Sequence, residues 1–479
     1  AATICDSVNL DFLILTGLKL IVLASPRFRE GYTEKRRRAQ EYNRLKSVIE
    51  QSIILELTQG NNTSISSLFL NKFQLRFQTT IAEIVKSRGL VSSTVKILDK
   101  GEKNAKNYQL YDQLIDILYI KSELGFSGSI HYDLGSILKE IDYFENCRKR
   151  VKESKIIYRD YFSRNVKKGI QKADVQAIKA CIKKLEKFYA QTNSNLIQLK
   201  IYLFKMELYL VEERFDRGTE IGLEAISFLK KSTNVRTNSR IGYFYFNIAE
   251  TELGALKFQE SSMYAKKSES LVGKNSLNRL IANQFYILSS IYLNKLDEAS
   301  ESIKIQKQLK AVESYPFYHS KFSYYEAMLH FISEDFDKAS KILSIHFDLE
   351  RDKEGWRVWL SIMRMLCQIE RSEYIDVDLM VQTFRKYIKS WEERSEIRER
   401  DKLVFKVIES LNRNDFDFQK VKELEADTLT LLRSQVKELK WRPNSPELVI
   451  FHDWFDAKCE NRPYKPNYQP YRSKEKVGK

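Results

Sequence analysis

Three side chains near the carboxyl end have the types and the spacing of metal ligands. His452, Asp456 and Cys459 stand four and three residues apart, which on a helix sets an imidazole, a carboxylate and a thiol on one face. Zinc takes ligands of these kinds. The competing reading is a terminal helix with incidental polar residues. That reading is preferred, because the five cysteines (Cys5, Cys147, Cys181, Cys367 and Cys459) are scattered with no C-x-x-C pair. The stretch "SLVGKNS" contains a Gly-Lys pair, yet Ser268 stands where a phosphate-binding loop needs its first glycine and Asn275 where it needs Ser or Thr. The five histidines form no H-E-x-x-H pattern, and no G-x-S-x-G elbow exists. No catalytic pattern remains, so neither an enzymatic activity nor a cofactor nor a metal is expected.

Two basic runs have the chemistry to track phosphates. One is "EKRRRAQEYNRLK" (Glu34–Lys46), and the other spans Arg148 to Lys172 with ten Lys/Arg against two acids. In the second, Arg148, Arg150, Lys167, Lys168 and Lys172 are the candidate phosphate contacts. Neither run is interleaved with aromatics for base stacking. The net charge of +16 and pI near 9.3 fit such a partner, but basic and acidic residues alternate along most of the chain, as on solvated helix faces carrying i,i+4 pairs. Nucleic acid is therefore the alternative partner and solubility the preferred reading of the charge.

The elements that would position these residues are helices. The chain has 479 residues, of which 16 are Gly and 7 are Pro, and five of the prolines lie at or beyond Pro443. Scarce helix breakers between Pro26 and Pro443 predict long helices joined by short connections. At the amino end, "VNLDFLILTGLKLIVLAS" (residues 8–25) is the most apolar segment, interrupted by Asp11 and Lys19. It falls short of the ~18–20 uninterrupted apolar residues of a membrane span, so a buried helix or strand is expected. A membrane anchor, with the basic residues after it on the inner side, is one alternative, and the trailing end of a truncated domain is another. Unpaired, dispersed cysteines fit a reducing, cytoplasmic setting.

A pattern then recurs. "ERFDRG", "LKFQES", "NKLDEA" and "EDFDKA" each place a large apolar residue (Phe215, Phe258, Leu296, Phe336) three positions before a small one (Gly218, Ser261, Ala299, Ala339). Weaker echoes follow at "SEYIDV" around Tyr374 and "NDFDFQ" around Phe416. A hairpin of two helices needs a bulky plug at its turn and a small residue where the second helix starts, so that the backbones approach closely. One hairpin cannot bury its apolar face alone, so hairpins stack.

These copies resemble the tetratricopeptide repeat family. Ala249 and Ala327 stand where that family has a small residue midway along its first helix, Tyr209 at the late tyrosine of that helix, and Ala225 at the small residue late in the second. The repeats are longer than the family's ~34 residues and lack its terminal proline. The resemblance implies an all-α, right-handed α-solenoid of antiparallel helix hairpins that binds another protein or a peptide. It also implies that first helices line the binding groove, which makes Tyr243, Phe246, Asn247, Asn283, Tyr324 and Tyr325 its candidate residues, with packing between hairpins as the alternative role for each. The organisation expected is an apolar segment and basic helix (1–64), divergent hairpins (65–196), the repeat array (197–440), and a capping helix with a disordered Pro/Tyr/basic tail (441–479). Ser445, Pro446 and Glu447 carry the start signals of that last helix.

Overall fold

The computed structural model describes residues 67–126, 132–168, 174–345, 355–392, 397–436 and 439–465, together with residues 44, 130 and 347. The segment 8–25 and Lys172 lie outside the described residues, and of the first basic helix only Arg44 is described. No helix among the described residues is long and apolar enough to cross a membrane. No strand occurs among them either.

In chain order the helices are α1 (Ser67–Ser87), α2 (Val91–Tyr108), α3 (Tyr111–Phe126), α4 (Leu134–Lys168), α5 (Val175–Thr192), α6 (Asn195–Val211) and α7 (Phe215–Lys231). Then come α8 (Asn238–Gly254), α9 (Phe258–Leu271), α10 (Leu277–Tyr292), α11 (Leu296–Lys307), α12 (Lys310–Ser314), α13 (Pro316–Ile332) and α14 (Phe336–Leu343). The last are α15 (Trp356–Glu370), α16 (Tyr374–Glu392), α17 (Glu399–Arg413), α18 (Phe418–Leu424), α19 (Ala426–Leu432) and α20 (Phe451–Cys459).

Two compact units divide this chain. The first holds the described residues up to 163, with 180–201 and 228–237; the second holds those of 164–179, 202–227 and everything described from 238 on. In the first unit α1, α2 and α3 pack together around Leu75, Leu98, Leu114, Ile117 and Leu124. In the second, α8, α10, α13, α15 and α17 are first helices and α9, α11, α14, α16 and α18 their partners. Each helix packs against the next; α8 also packs on α10, α10 on α13 and α15 on α17, while α13 meets α15 through Tyr324 and Tyr325 against Trp356. Connections this short make neighbours antiparallel, and nearest-neighbour packing along the chain is the α-solenoid pattern. These are the helix hairpins that the tetratricopeptide resemblance implied.

The turn repeats with its residues in register. Phe215, Phe258, Leu296, Phe336, Tyr374 and Phe418 each open a second helix. Two residues before each lies a left-handed residue: Glu213, Leu256, Asn294, Glu334, Ser372 and Phe416, with φ between 55° and 60°. In the turn before Leu296 the Asn294 N–H donates to Ile291 O and Lys295 N–H to Ser290 O (3.0 and 2.8 Å). In the turn before Phe336 the Glu334 and Asp335 N–H groups bond Phe331 O and His330 O in the same way. That is a Schellman closure, which satisfies the last carbonyls of the first helix. None of the six left-handed positions is glycine, so each costs ~1–2 kcal/mol that packing must offset.

The plug does that packing. Phe258 meets the Tyr292 ring at 4.9 Å on the next first helix, and the Phe215 ring lies where a Cβ on Gly254 would stand 2.6 Å away. Burying such a side chain contributes ~1.5–3 kcal/mol. The small positions give the expected close approach: Ala299 and Ala339 are fully buried, and Ser261 Oγ donates to Ala249 O at 2.8 Å. One echo is misplaced by two residues. Phe416 is the left-handed turn residue, stacked on Tyr374 at 4.2 Å, and the plug is Phe418. Two large aromatics two residues apart make the register ambiguous in sequence.

The carboxyl end also departs from expectation. Helix α20 begins at Phe451, not at Ser445, so residues 439–450 run without a helix. Beyond Cys459 the tail is not wholly free. Tyr464 is buried, its hydroxyl accepts from Ile450 N–H at 3.0 Å, and its ring packs on Phe331.

Candidate functional site

The residues after α19 cross the row of first helices in the second unit. Lys440 Nζ and Arg442 Nη2 reach the carboxylate of Glu213, just past α6, at 3.1 and 3.4 Å. Trp441 stands edge-on to Tyr292 of α10 at 5.7 Å, and its indole N–H donates to Glu447 O at 2.8 Å. Tyr292 on α10 donates its hydroxyl to Pro443 O at 2.6 Å, and Tyr324 on α13 donates to Pro446 O at 3.0 Å. Burial raises the pKa of both phenols well above 10, so each remains a donor. Prolines have no N–H to offer, which leaves carbonyls as the handles of this segment.

Between the tyrosines runs a relay. Lys321 Nζ donates to Gln284 Oε1 (3.0 Å), Gln284 Nε2 to Asn444 Oδ1 (2.9 Å), and Asn444 Nδ2 to Glu250 Oε1 (3.2 Å). An ammonium can only donate and a carboxylate only accept, so the cation at one end and the anion at the other fix both amides' orientation. The chain of bonds ties α13, α10 and α8 through Asn444. Lys321 itself lies over the Trp356 ring at 4.6 Å and beside Phe317 and Tyr318, cation–π contacts that fix its position.

Further on, the segment is anchored. Arg400 on α17 is 2% exposed and Glu447 fully buried. Arg400 Nη2 donates to Glu447 Oε1 at 2.7 Å, its Nε donates to the other carboxylate oxygen, and its Nη1 donates to Leu432 O and Leu439 O at 2.6 and 2.7 Å. Glu447 Oε1 also accepts Phe451 N–H at 3.2 Å, which caps α20. Breaking a buried, fully hydrogen-bonded pair costs ~3–5 kcal/mol, whereas the half-exposed pairs to Glu213 contribute ~0–1 kcal/mol each. Leu439 and Glu447 are thus both held by Arg400, and the side chains of Lys440 and Arg442 between them far more weakly.

The six candidate groove residues divide by position. Tyr324 touches the segment. Tyr325 packs against Phe322 and Trp356, and Phe246 is buried against Tyr243 at 4.6 Å. Asn247 and Asn283 donate their amides to Tyr243 O and Arg279 O on their own helices, at 2.6 and 2.9 Å. The residues that do hold the segment, Glu213, Glu250, Gln284 and Tyr292, were not singled out from sequence. Tyr292 lies two residues before the "NKLDEA" turn, and that position at the end of a first helix was the available signal.

The other candidates are dispersed. His452 Nδ1 faces Arg400 Nη2 at 3.2 Å, Asp456 pairs with Arg433 at 2.6 Å, and the Cys459 thiol donates to Phe418 O at 3.6 Å, so the three point to three different partners. Ser268 Oγ donates to Gly242 O, and "SLVGKNS" closes a helix. On α4, Arg148 lies near Asp112 and Glu145 (3.8 and 3.6 Å), while Arg150 pairs with Glu153 at 2.9 Å and stacks on Phe188 at 4.9 Å. Lys167 and Lys168 are in the last turn of α4, and their side chains lie outside what is described.

No family model matches this chain, and no curated relative matches it. Among solved structures it is similar to the crystal structure of the P58(IPK) TPR domain, with 10% identity, 81% of this chain and 100% of that chain covered, and a TM-score of 0.23.

Proposed function

We propose that this chain is a protein- or peptide-binding scaffold of tetratricopeptide-like hairpins that performs no chemistry of its own, with the binding groove along its first helices. The observation that carries this reading is the pair Tyr292 and Tyr324. Two buried phenols on successive first helices each donate to a main-chain carbonyl of a non-helical segment that turns at Arg442–Ser445, where Ser445 N–H bonds Arg442 O at 3.0 Å, a mode of contact that grips backbone and leaves side chains to supply specificity. The amides and carboxylates beside them supply that second layer.

The test is a selection of displayed, unstructured peptides on the full chain. Enriched peptides are expected to bind the wild type and to lose tenfold or more in affinity to Tyr292→Phe and Glu213→Lys chains. A failure to enrich any peptide contradicts the reading. A labelled generic DNA duplex is measured in parallel across a salt series. Binding that falls steeply with salt and vanishes on replacing Lys167, Lys168 and Lys172 by Ala would put nucleic acid in the peptide's place.

A further inference from the structure

Building on the peptide-binding reading, we propose that residues 440–444 are a built-in competitor for the groove, and that the partner is a cationic peptide of the same chemistry that takes the same turn at its Pro-Asn: basic, aromatic, basic, then Pro-Asn. Three observations meet here. The groove end that receives this segment is acidic, with Glu213 facing Lys440 and Arg442 and Glu250 facing Asn444. In a chain of net charge +16, that local reversal of sign selects a cationic guest. The contacts also form a ready-made template, in which Trp441 lies against Tyr292, Pro443 offers its carbonyl to the same tyrosine, and Asn444 completes the relay between Gln284 and Glu250.

The third observation is the uneven anchoring. From Ser445 to Phe451 every residue is buried and Glu447 is locked to Arg400, whereas of residues 440–444 Pro443 alone is buried and Lys440, Trp441, Arg442 and Asn444 are half-buried. Local opening follows the weakest contacts, so residues 440–444 bow away while the segment stays tethered on either side, at Leu439 and at Glu447. A tether this short keeps the displaced residues at a high effective concentration. A partner must therefore outcompete them, and its apparent affinity is reduced by the fraction of time the groove is open.

The experiment uses a fluorescein-labelled synthetic peptide, LKWRPN, matching residues 439–444, titrated into the full chain. Wild type is expected to bind it weakly. The Lys440→Glu/Arg442→Glu chain, whose own segment is repelled by Glu213, is expected to bind at least tenfold more tightly, and adding Glu213→Lys to that variant is expected to abolish binding. Trp441→Ala serves as a second weakened chain, expected to change affinity in the same direction. Equal affinity for wild type and both variants, or no binding to variants with wild-type helical circular dichroism, overturns the proposal, as does a dimer that exchanges these segments between copies. If LKWRPN fails while selected peptides of other chemistry still bind in a Tyr292-dependent way, this inference falls and the scaffold reading stands.

Discussion

At Arg400 every N–H donor has a destination: two on Glu447, two on the Leu432 and Leu439 carbonyls, and one toward His452 Nδ1. Removing the charge on the other side leaves a guanidinium buried without its counter-ion, so Glu447→Leu is expected to lower unfolding stability by ~3–5 kcal/mol in denaturant melts. A loss under 1 kcal/mol would contradict the buried pair. The same residue sets the state of His452. Arginine cannot accept, so Nδ1 must, and the ring is neutral; burial first, then Arg400 and Arg433, push its pKa down to about 3. The sign follows from linkage. Below 6.5 the unfolded chain takes up a proton that the folded ring refuses until about pH 3, so this group's contribution is intact at pH 7 and erodes as pH falls. His452→Gln retains an acceptor for Arg400 without that titration. Its stability deficit relative to wild type is expected to shrink by roughly 1 kcal/mol per unit between pH 6 and pH 4. A deficit that holds constant or widens on acidification would mean the ring is charged.

At the scale of helices, the turn is the unit of construction. A bulky residue opens the second helix, a small one follows three later, and a left-handed residue precedes by two. The first two features were legible in sequence because they are local and chemically distinctive at Phe215, Phe258, Leu296 and Phe336. The left-handed position was not legible, since Glu334 and Ser372 have no composition in common and glycine, its usual marker, is absent. Glu334 is exposed at φ 59°, so Glu334→Gly is expected to stabilise the chain by up to ~1 kcal/mol. At the small position, Ala339→Leu must force its two backbones apart and is expected to cost ~1–3 kcal/mol. Thermal melts of the two variants shifting in the same direction would contradict this account of the turn.

Across the whole second unit, what sequence left hidden is the pairing of residues far apart in the chain. Ser445, Pro446 and Glu447 satisfy the local code for a helix start, yet Pro446 gives its carbonyl to Tyr324 and Glu447 its carboxylate to Arg400. Local signals were outweighed by partners 122 and 47 residues away. For the same reason Tyr324 could be named from a repeat register, whereas Gln284 and Glu250 acquire a role only when Asn444 arrives between them. Hydrogen–deuterium exchange of the full chain with and without a selected peptide tests the central claim most directly. The account predicts added protection along α8, α10 and α13 with faster exchange at residues 440–444. Protection confined to α4, or no change along the first helices, would contradict it.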